Sequence, residues 1–543
     1  MQIEPASLFS TSPAFLLATS WSDQVNRALF DNTFAGIHRL TWFDYSLLIP
    51  YFFCLVVLSI YGLHRYEVIL SYRRGRAKVA SQKPAEFAQL PRVTVQLPLY
   101  NERFVVERLL ETASQLDYPH ELLQIQVLDD STDETHPFTE RLVNQYRAQG
   151  FPFEYIHRTN RHGFKAGALE EGLRTATGEF VAVFDADFVI PSDFLLRTIH
   201  HFSAPKVGVV QTRWSYLNRD YSILTEVQAM LLDGHFVLEH VARAGNDLYF
   251  NFNGTAGIWR IETIRDAGGW QHDTLTEDSD LSYRAQLKGW KFVYVPEVEC
   301  ASELPVDMLG FQTQQFRWSK GLTQVAIKLF RQVMASDASW RVKFEAFAHL
   351  TPNVSYPLMI AVTALMLPVM IVRFYQGWQQ LLLVDVPFMT ANFASVIVFY
   401  IYAQKERNGG NAWKAARMIP ALIAAGVTLT INNTRAFFEA LIGHQTEFVR
   451  TPKYAINGTE KAKAPAVTKY RSKVGVLPFL ELALGCYFLF MVVYAIETYN
   501  FLAAPLLSIF VAGYFWAAIS KLKFELKNRL AWERARRLAP ASR

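Results

Sequence analysis

Residues 179–187 read EFVAVFDAD, an apolar run that ends in two aspartates with one residue between them. A short apolar run stopped by an acidic turn describes a buried strand. Asp185 and Asp187 stand at its end, two apart, so both carboxylates can face the same way. Outward from this stretch the same rhythm repeats. RVTVQLPLYNE (Arg92–Glu102) is a strand running into a loop, and RFVVERLLETASQL follows with helical apolar spacing. IQVLDDS is the next strand, TERLVNQYRAQG the next helix, FEYIHR a third strand, and KAGALEEGLRTA a helix that ends at Gly178. The alternation predicts an α/β domain over residues 90–335: a mostly parallel sheet with helices on both faces. In such sheets ligands sit beyond the carboxyl ends of the strands. Asp129, Asp130, Asp185 and Asp187 all fall there.

Asp185 and Asp187 suit a divalent hard cation, which takes one or two carboxylates plus substrate phosphates; the bland alternative is an acidic turn. Asp129 and Asp130 can accept hydrogen bonds from a base edge or a ribose, or simply form an Asx turn or helix cap. Lys165, in HGFKAGAL, starts a helix after a glycine, where an ammonium and free amides suit a diphosphate. An exposed lysine near a helix start is the competing reading. Asp278 lies in LTEDSDLSYRAQLKGW, and one such carboxylate suffices as a general base. Glu277 and Asp280 compete for that role. QQFRW places Gln314, Arg317 and Trp318 at i, i+3 and i+4, on one helix face. An indole is a platform for a sugar ring and an arginine beside it binds phosphate; a buried tryptophan anchor is the alternative.

The chain has 543 residues, of which 51% are apolar and 14% aromatic. A soluble middle flanked by membrane segments accounts for that composition. The net charge of +5 gives no argument for nucleic acid, and three cysteines give no zinc or disulfide spacing. Residues 45–63 read as a first span, followed by Arg65, Arg73, Arg74, Arg76 and Lys78. The positive-inside rule then puts residues 1–44 outside, with apolar residues that suit the outer membrane surface, and the α/β domain in the cytosol. A hairpin over 345–403 (Asn353–Val372 and Phe388–Tyr402) and another over 476–522 make five spans. Residues 415–445 carry Asn432, Asn433, Arg435 and Glu439 and read as an amphipathic helix on the cytosolic interface. A basic tail, 523–543, is expected in the cytosol.

The series of aspartates closed by QQFRW resembles glycosyltransferase family 2 in its membrane-embedded processive branch. QLPLYNE, QVLDDSTDET, KAGAL, VQTRW, FNGTAGIWR and TEDSDLSYRAQLKGW are similar to the plant cellulose-synthase-like mannan and glucan synthases and their bacterial relatives. The resemblance implies a GT-A fold and inverting transfer from a nucleoside diphosphate sugar, with UDP-glucose favoured over GDP-mannose. It implies that Asp129 and Asp130 hold the nucleoside, that Asp185 and Asp187 hold the diphosphate through Mg²⁺ or Mn²⁺, and that Asp278 is the base. Gln314, Arg317 and Trp318 would meet acceptor and diphosphate, beside a loop of Asn253, Gly254 and Thr255. FVRTPK, with Phe448, Thr451 and Lys453, is similar to the cytosolic gating loop of bacterial cellulose synthase, within a segment 446–473. The implied product is a β-linked polysaccharide passed through the enzyme's own spans, in a bacterial inner membrane. A glycolipid synthase carries the same signatures, so a polysaccharide and a lipid acceptor both stay open. A non-catalytic transporter would leave the acidic motifs as turns.

Overall fold

The computed structural model describes residues 35–376, 387–407, 409–445, 453–458, 475–498 and 503–538, with Ser22, Thr451 and Phe501. Most of the N-terminal segment, Phe448, most of 446–473 and the end of the basic tail lie outside the described residues.

Seven strands form one sheet: β1 (Val93–Leu99), β2 (Leu123–Asp129), β3 (Phe153–His157), β4 (Phe180–Val183), β5 (Val207–Tyr216), β6 (Gly257–Arg260) and β7 (Lys291–Ser302). Their order is β3-β2-β1-β4-β6-β5-β7. β3, β2, β1 and β4 run parallel, β6 is antiparallel to both neighbours, and β5 and β7 are parallel. The strand at Phe180–Val183 shows why the sheet is covered on both faces. Phe180, Ala182 and Phe184 enter one core with Val95, Leu97 and helix residues Leu109 and Leu110. Val181 and Val183 enter the other, with Leu169, Ile264 and Leu281. Side chains alternate along a strand, so an unbroken apolar run must be buried on both sides.

Among the described residues, four helices are long and apolar enough to cross a membrane: Trp42–Ala80, Pro352–Tyr375, Leu477–Glu497 and Ala504–Lys527. The first begins with a capping box in which Thr41 and Asp44 satisfy each other's backbone amides. Ile49, Phe53 and Val56 on it are exposed, which suits contact with lipid rather than water. Its C-terminal part meets the helix His240–Gly245 of the α/β domain. A Cβ on Gly245 would lie 2.5 Å from Gly75 Cα, so two glycines let the backbones touch. The expected span Phe388–Tyr402 falls on a helical stretch, residues 387–406, with a π turn at Thr390–Ala394. It packs on the first span, where Asn392 Nδ2 donates to Ser59 Oγ at 3.0 Å, and is not among the four.

Residues 415–445 correct the sequence reading. They form not one surface helix but two, Ala412–Thr428 and Thr430–Leu441, bent by 40°. Counted as one bent span, the pair raises the number to five. Of the polar residues in that reading, Asn432 and Asn433 are buried just past the break, while Arg435 stays exposed and pairs with the partly buried Glu439. Asn432 Nδ2 donates to the Gln312 carbonyl at 2.8 Å, Gln312 Nε2 donates to the Thr428 carbonyl at 2.7 Å, and Thr430 Oγ1 meets Tyr514 Oη at 3.1 Å. Internal partners replace water, so the segment packs inward.

Gln312 belongs to the long interface helix Met308–Ala335, capped by Asp307 through the Gly310 amide at 2.8 Å. This helix carries QQFRW and links the sheet to the apolar helices. Gln312 also accepts from Lys521 Nζ at 3.0 Å, and Lys521 pairs with Glu481 at 2.5 Å, all three buried.

Candidate active site

At the carboxyl ends of the parallel strands a single cavity collects most of the residues singled out from the sequence. Asp130, Lys165, Asp185, Asp187, Asn253, Gly254, Asp278, Gln314, Arg317, Trp318, Thr451 and Lys453 all line it. Asp129 and Thr255 stand behind the wall. Asp129 is fully buried; its Oδ1 accepts from the Ser131 amide at 2.8 Å and its Oδ2 from Tyr155 Oη at 2.6 Å. Thr255 Oγ1 accepts from the Asp185 amide at 2.8 Å, so it braces the acidic turn from below. Asp130 holds Arg158 in a two-pronged pair, Nε to Oδ1 at 2.8 Å and Nη2 to Oδ2 at 2.5 Å. Away from the cavity, ligand atoms of Asp129, His136 and His157 lie within 4.8 Å of one another.

Lys165 sits at the start of the helix Phe164–Leu173, entered through Gly163 at φ +72°. A side chain at Gly163 would be strained there. The turn aims the ammonium into the cavity, where it donates to Asp185 Oδ1 at 2.5 Å and to the Gly254 carbonyl at 2.8 Å. Burial works against its charge, but Asp185, Glu277 and Asp278 outweigh that and raise it above the ordinary lysine value. Asp278 opens the helix Glu277–Leu287, and its Oδ1 accepts from the Ser279 amide at 2.7 Å. Burial, and then the neighbouring Glu277 carboxyl, push Asp278 up to about 7. A Cβ on Gly254 would lie 2.9 Å from Asp278 Oδ2. The loop Asn253–Thr255 therefore presents bare backbone to this carboxylate.

The far wall comes from a segment remote in sequence. Lys453 donates to Asp187 Oδ2 and to the Glu303 carbonyl, both at 2.7 Å. Burial acts to raise Asp187, but the Lys453 ammonium more than offsets it and holds the carboxyl below its ordinary value. Glu303, just past β7, takes the Tyr454 amide at 2.8 Å and the Ile456 amide at 3.3 Å. The sequence reading passed over Glu303. Its one signal is an acid in an otherwise apolar strand exit, CASELP. Arg158 was passed over too, because a lone arginine after a strand carries no local pattern.

Chemically, the cavity lining combines the acidic turn Asp185–Asp187 with the separate carboxylate of Asp278. Asp185 and Asp187 offer the hard oxygen donors a divalent ion requires, and both line the cavity. Lys165, Arg317 and Lys453 add fixed positive charge, and Trp318 supplies a flat apolar wall. Among carboxylates, Asp278 stands nearest the bare Gly254 backbone and is poised to take a proton near neutral pH.

Residues 91–321 match the model of a family described as glycosyltransferase like family 2. The chain is 32% identical over 453 residues to glucomannan 4-beta-mannosyltransferase 9 of Arabidopsis thaliana, spanning 78% of this chain and 80% of that one. It is 30% identical to glucomannan 4-beta-mannosyltransferase 7 of the same plant, over 95% of this chain and 94% of that one. Among solved structures, the mannosyltransferase PcManGT from Pyrobaculum calidifontis in complex with GDP-Man and Mn²⁺ matches with a TM-score of 0.45 and 21% identity. That match covers 64% of this chain and 96% of the other. None of these relatives supports the expected bacterial inner membrane, and the plant relatives are named as mannosyltransferases rather than glucan synthases. The mixed sheet covered on both faces, the four apolar helices and full-length similarity of this order have one meaning: the chain is a hexosyltransferase belonging to the membrane-associated, cellulose-synthase-like branch of glycosyltransferase family 2.

Proposed function

We propose that this enzyme transfers a mannosyl unit from GDP-mannose, with inversion, onto the end of a β-1,4-linked mannan or glucomannan, and passes the chain on between its membrane helices. The observation that carries this reading is the placement of Asp278. Its carboxylate lies against Gly254, in the cavity that Asp185 and the indole of Trp318 also line. Asp278 accepts the proton of the acceptor hydroxyl as that oxygen attacks the anomeric carbon. The bond to the diphosphate breaks from the opposite face and its electron pair leaves with the nucleotide. Lys165, Arg317 and Lys453 are within the same cavity and hold the diphosphate; Trp318 supports the acceptor ring. Asp185 and Asp187 would hold a Mg²⁺ or Mn²⁺ ion, which when bound offsets the charge of the departing diphosphate. Asp130 and Arg158 form the nucleoside end, with Asp129 stiffening it from behind.

The names of the relatives support mannose over the glucose read from the sequence. Passage through the membrane is supported by the interface helix, which carries the acceptor residues at one face and packs against the bent pair and last hairpin through Gln312. The cytosolic side of the domain is supported by the basic residues that follow the first span.

The test uses purified protein in nanodiscs with GDP-mannose or UDP-glucose, in Mn²⁺, Mg²⁺ or chelator. Nucleoside diphosphate release is followed and the product is sized and digested with β-mannanase. The expected result is release from GDP-mannose only, abolished by chelation, with a long product that mannanase degrades. Release from UDP-glucose alone would overturn the donor, and a product confined to glycosylated lipid would overturn the polymer.

A further inference from the structure

The helix Ile223–Gly245 is interrupted by a π turn at Gly234–Glu239. At 3.6 residues per turn, residues five apart point about 140° away from each other on an α-helix. A π turn, with its i→i+5 pattern, brings them round to one face. Here the two residues so aligned are His235 and His240, whose ring centroids are 4.3 Å apart. Both reach the side chain of Asn253, which lines the cavity next to Gly254. His235 Nε2 meets Asn253 Nδ2 at 2.9 Å, and His240 Nε2 meets Asn253 Oδ1 at 2.5 Å.

The remaining partners fix the tautomers. His235 Nδ1 lies 2.9 Å from Glu239 Oε2, so it carries the proton and donates to the carboxylate. Its Nε2 is then a bare lone pair that accepts from the Asn253 amide N–H. His240 must donate from Nε2, because Asn253 presents it with a carbonyl oxygen. Its Nδ1 is then bare, and that atom has no hydrogen-bond partner among the described residues. Burial keeps His240 neutral. Arg243 closes the cluster, donating to Glu239 Oε2 at 3.4 Å. The Asn253 backbone is held as well, its amide donating to Gln211 Oε1 at 2.9 Å.

We infer that His235 and His240 are positioning residues: they clamp the Asn253 carboxamide from both ends and so set the shape of the acceptor side of the site. The Asn253 side chain cannot rotate without losing a hydrogen bond at each end. The next residue, Gly254, carries the carbonyl that Lys165 grips and the bare backbone that faces Asp278. The clamp thus transmits its geometry to the neighbourhood of the base while touching neither nucleotide nor cation. Its kinetic consequence rests on the glycosyl-transfer reading; its structural consequence does not.

Two pairs of variants separate positioning from mere folding. A glutamine amide reaches the place of an imidazole Nε2, an asparagine amide only that of Nδ1. His235→Gln and His240→Gln therefore retain the contact with Asn253, whereas His235→Asn and His240→Asn lose it. With a β-1,4-linked mannose tetramer as acceptor probe and GDP-mannose as donor, the asparagine variants are expected to raise the acceptor KM at least tenfold. Their donor KM should stay within twofold, and the glutamine variants within threefold of the parent throughout. Equal KM changes for donor and acceptor, or no rescue by glutamine, would overturn the clamp. A parent that turns over no donor refutes the glycosyl-transfer reading instead. In that case a cryo-EM structure of His235→Asn in nanodiscs decides: Asn253 rotated from its present position supports the clamp, and Asn253 unmoved overturns it.

Discussion

Replacing Asp278 by asparagine removes the base while keeping the shape of the side chain. The Ser279 amide still finds an oxygen acceptor, so the start of the helix Glu277–Leu287 stays capped. Two effects of opposite sign follow. Turnover falls, because a positioned general base is worth about 10²–10⁴-fold. Stability rises, because the fold destabilises this carboxylate. Asp278 is pushed from 3.8 up to about 7 by burial and by Glu277, so the folded chain binds that proton more tightly than the unfolded chain does. The stability linked to it is complete below the unfolded value and is lost as pH rises through about 7. At 1.36 kcal/mol per tenfold, the loss at pH 8 reaches roughly 4 kcal/mol, an upper figure because Glu277 shares it. Asp278→Asn should therefore melt above the parent at pH 8, with a gap that narrows at pH 5.5, while nucleoside diphosphate release drops at least 100-fold. Thermal unfolding in detergent at both pH values, beside release kinetics, measures both effects. Turnover within tenfold of the parent would remove Asp278 from the proton transfer. A Tm that falls at pH 8 would refute the account of its buried charge.

Two further substitutions probe what surrounds the base. Lys453→Met deletes the ammonium that meets Asp187 and the Glu303 carbonyl and leaves a buried carboxylate without its cation, so the Tm should fall, by the worth of a charged hydrogen bond, about 1.5–3 kcal/mol, and the donor KM should rise at least tenfold; an unaltered donor KM would place Lys453 outside the donor site. Lys521→Met strands the buried Glu481 carboxylate and should cost about 3–5 kcal/mol, most of it recovered in Lys521→Met/Glu481→Leu; a double variant as unstable as the single one would show that the pair is not the source.

The strand ends were legible because each is an apolar run stopped by an acid, a pattern local enough to read by eye. What local pattern cannot resolve is which of two adjacent acids faces the ligand. Asp129 and Asp130 are one residue apart, and alternation turns one into the sheet and the other into the cavity. The contact of Lys453 with Asp187 joins residues 266 apart, and only family resemblance pointed to it. Residues 415–445 misled for a related reason. Asn432 looks like part of a wet face until Gln312, distant in the chain, supplies its partner. His235 and His240, five apart, belong on opposite faces of any α-helix, and nothing in the letters announces the π turn that unites them.

The buried Lys521–Glu481–Gln312 cluster ties the last hairpin to the α/β domain. The two charges lie on successive helices of the last hairpin, and Gln312 comes from a helix synthesised long before them. An ion pair in apolar surroundings is tolerated when its remaining hydrogen bonds are met. The hairpin brings one charge of each sign, and the Gln312 amide that bonds both comes from the interface helix of the α/β domain, while Glu481 Oε2 has no hydrogen-bond partner among the described residues. The seated hairpin and the folded domain therefore support each other: a chain whose domain has failed leaves the charge pair without the Gln312 amide, a chemical mark by which an incomplete enzyme differs from a complete one.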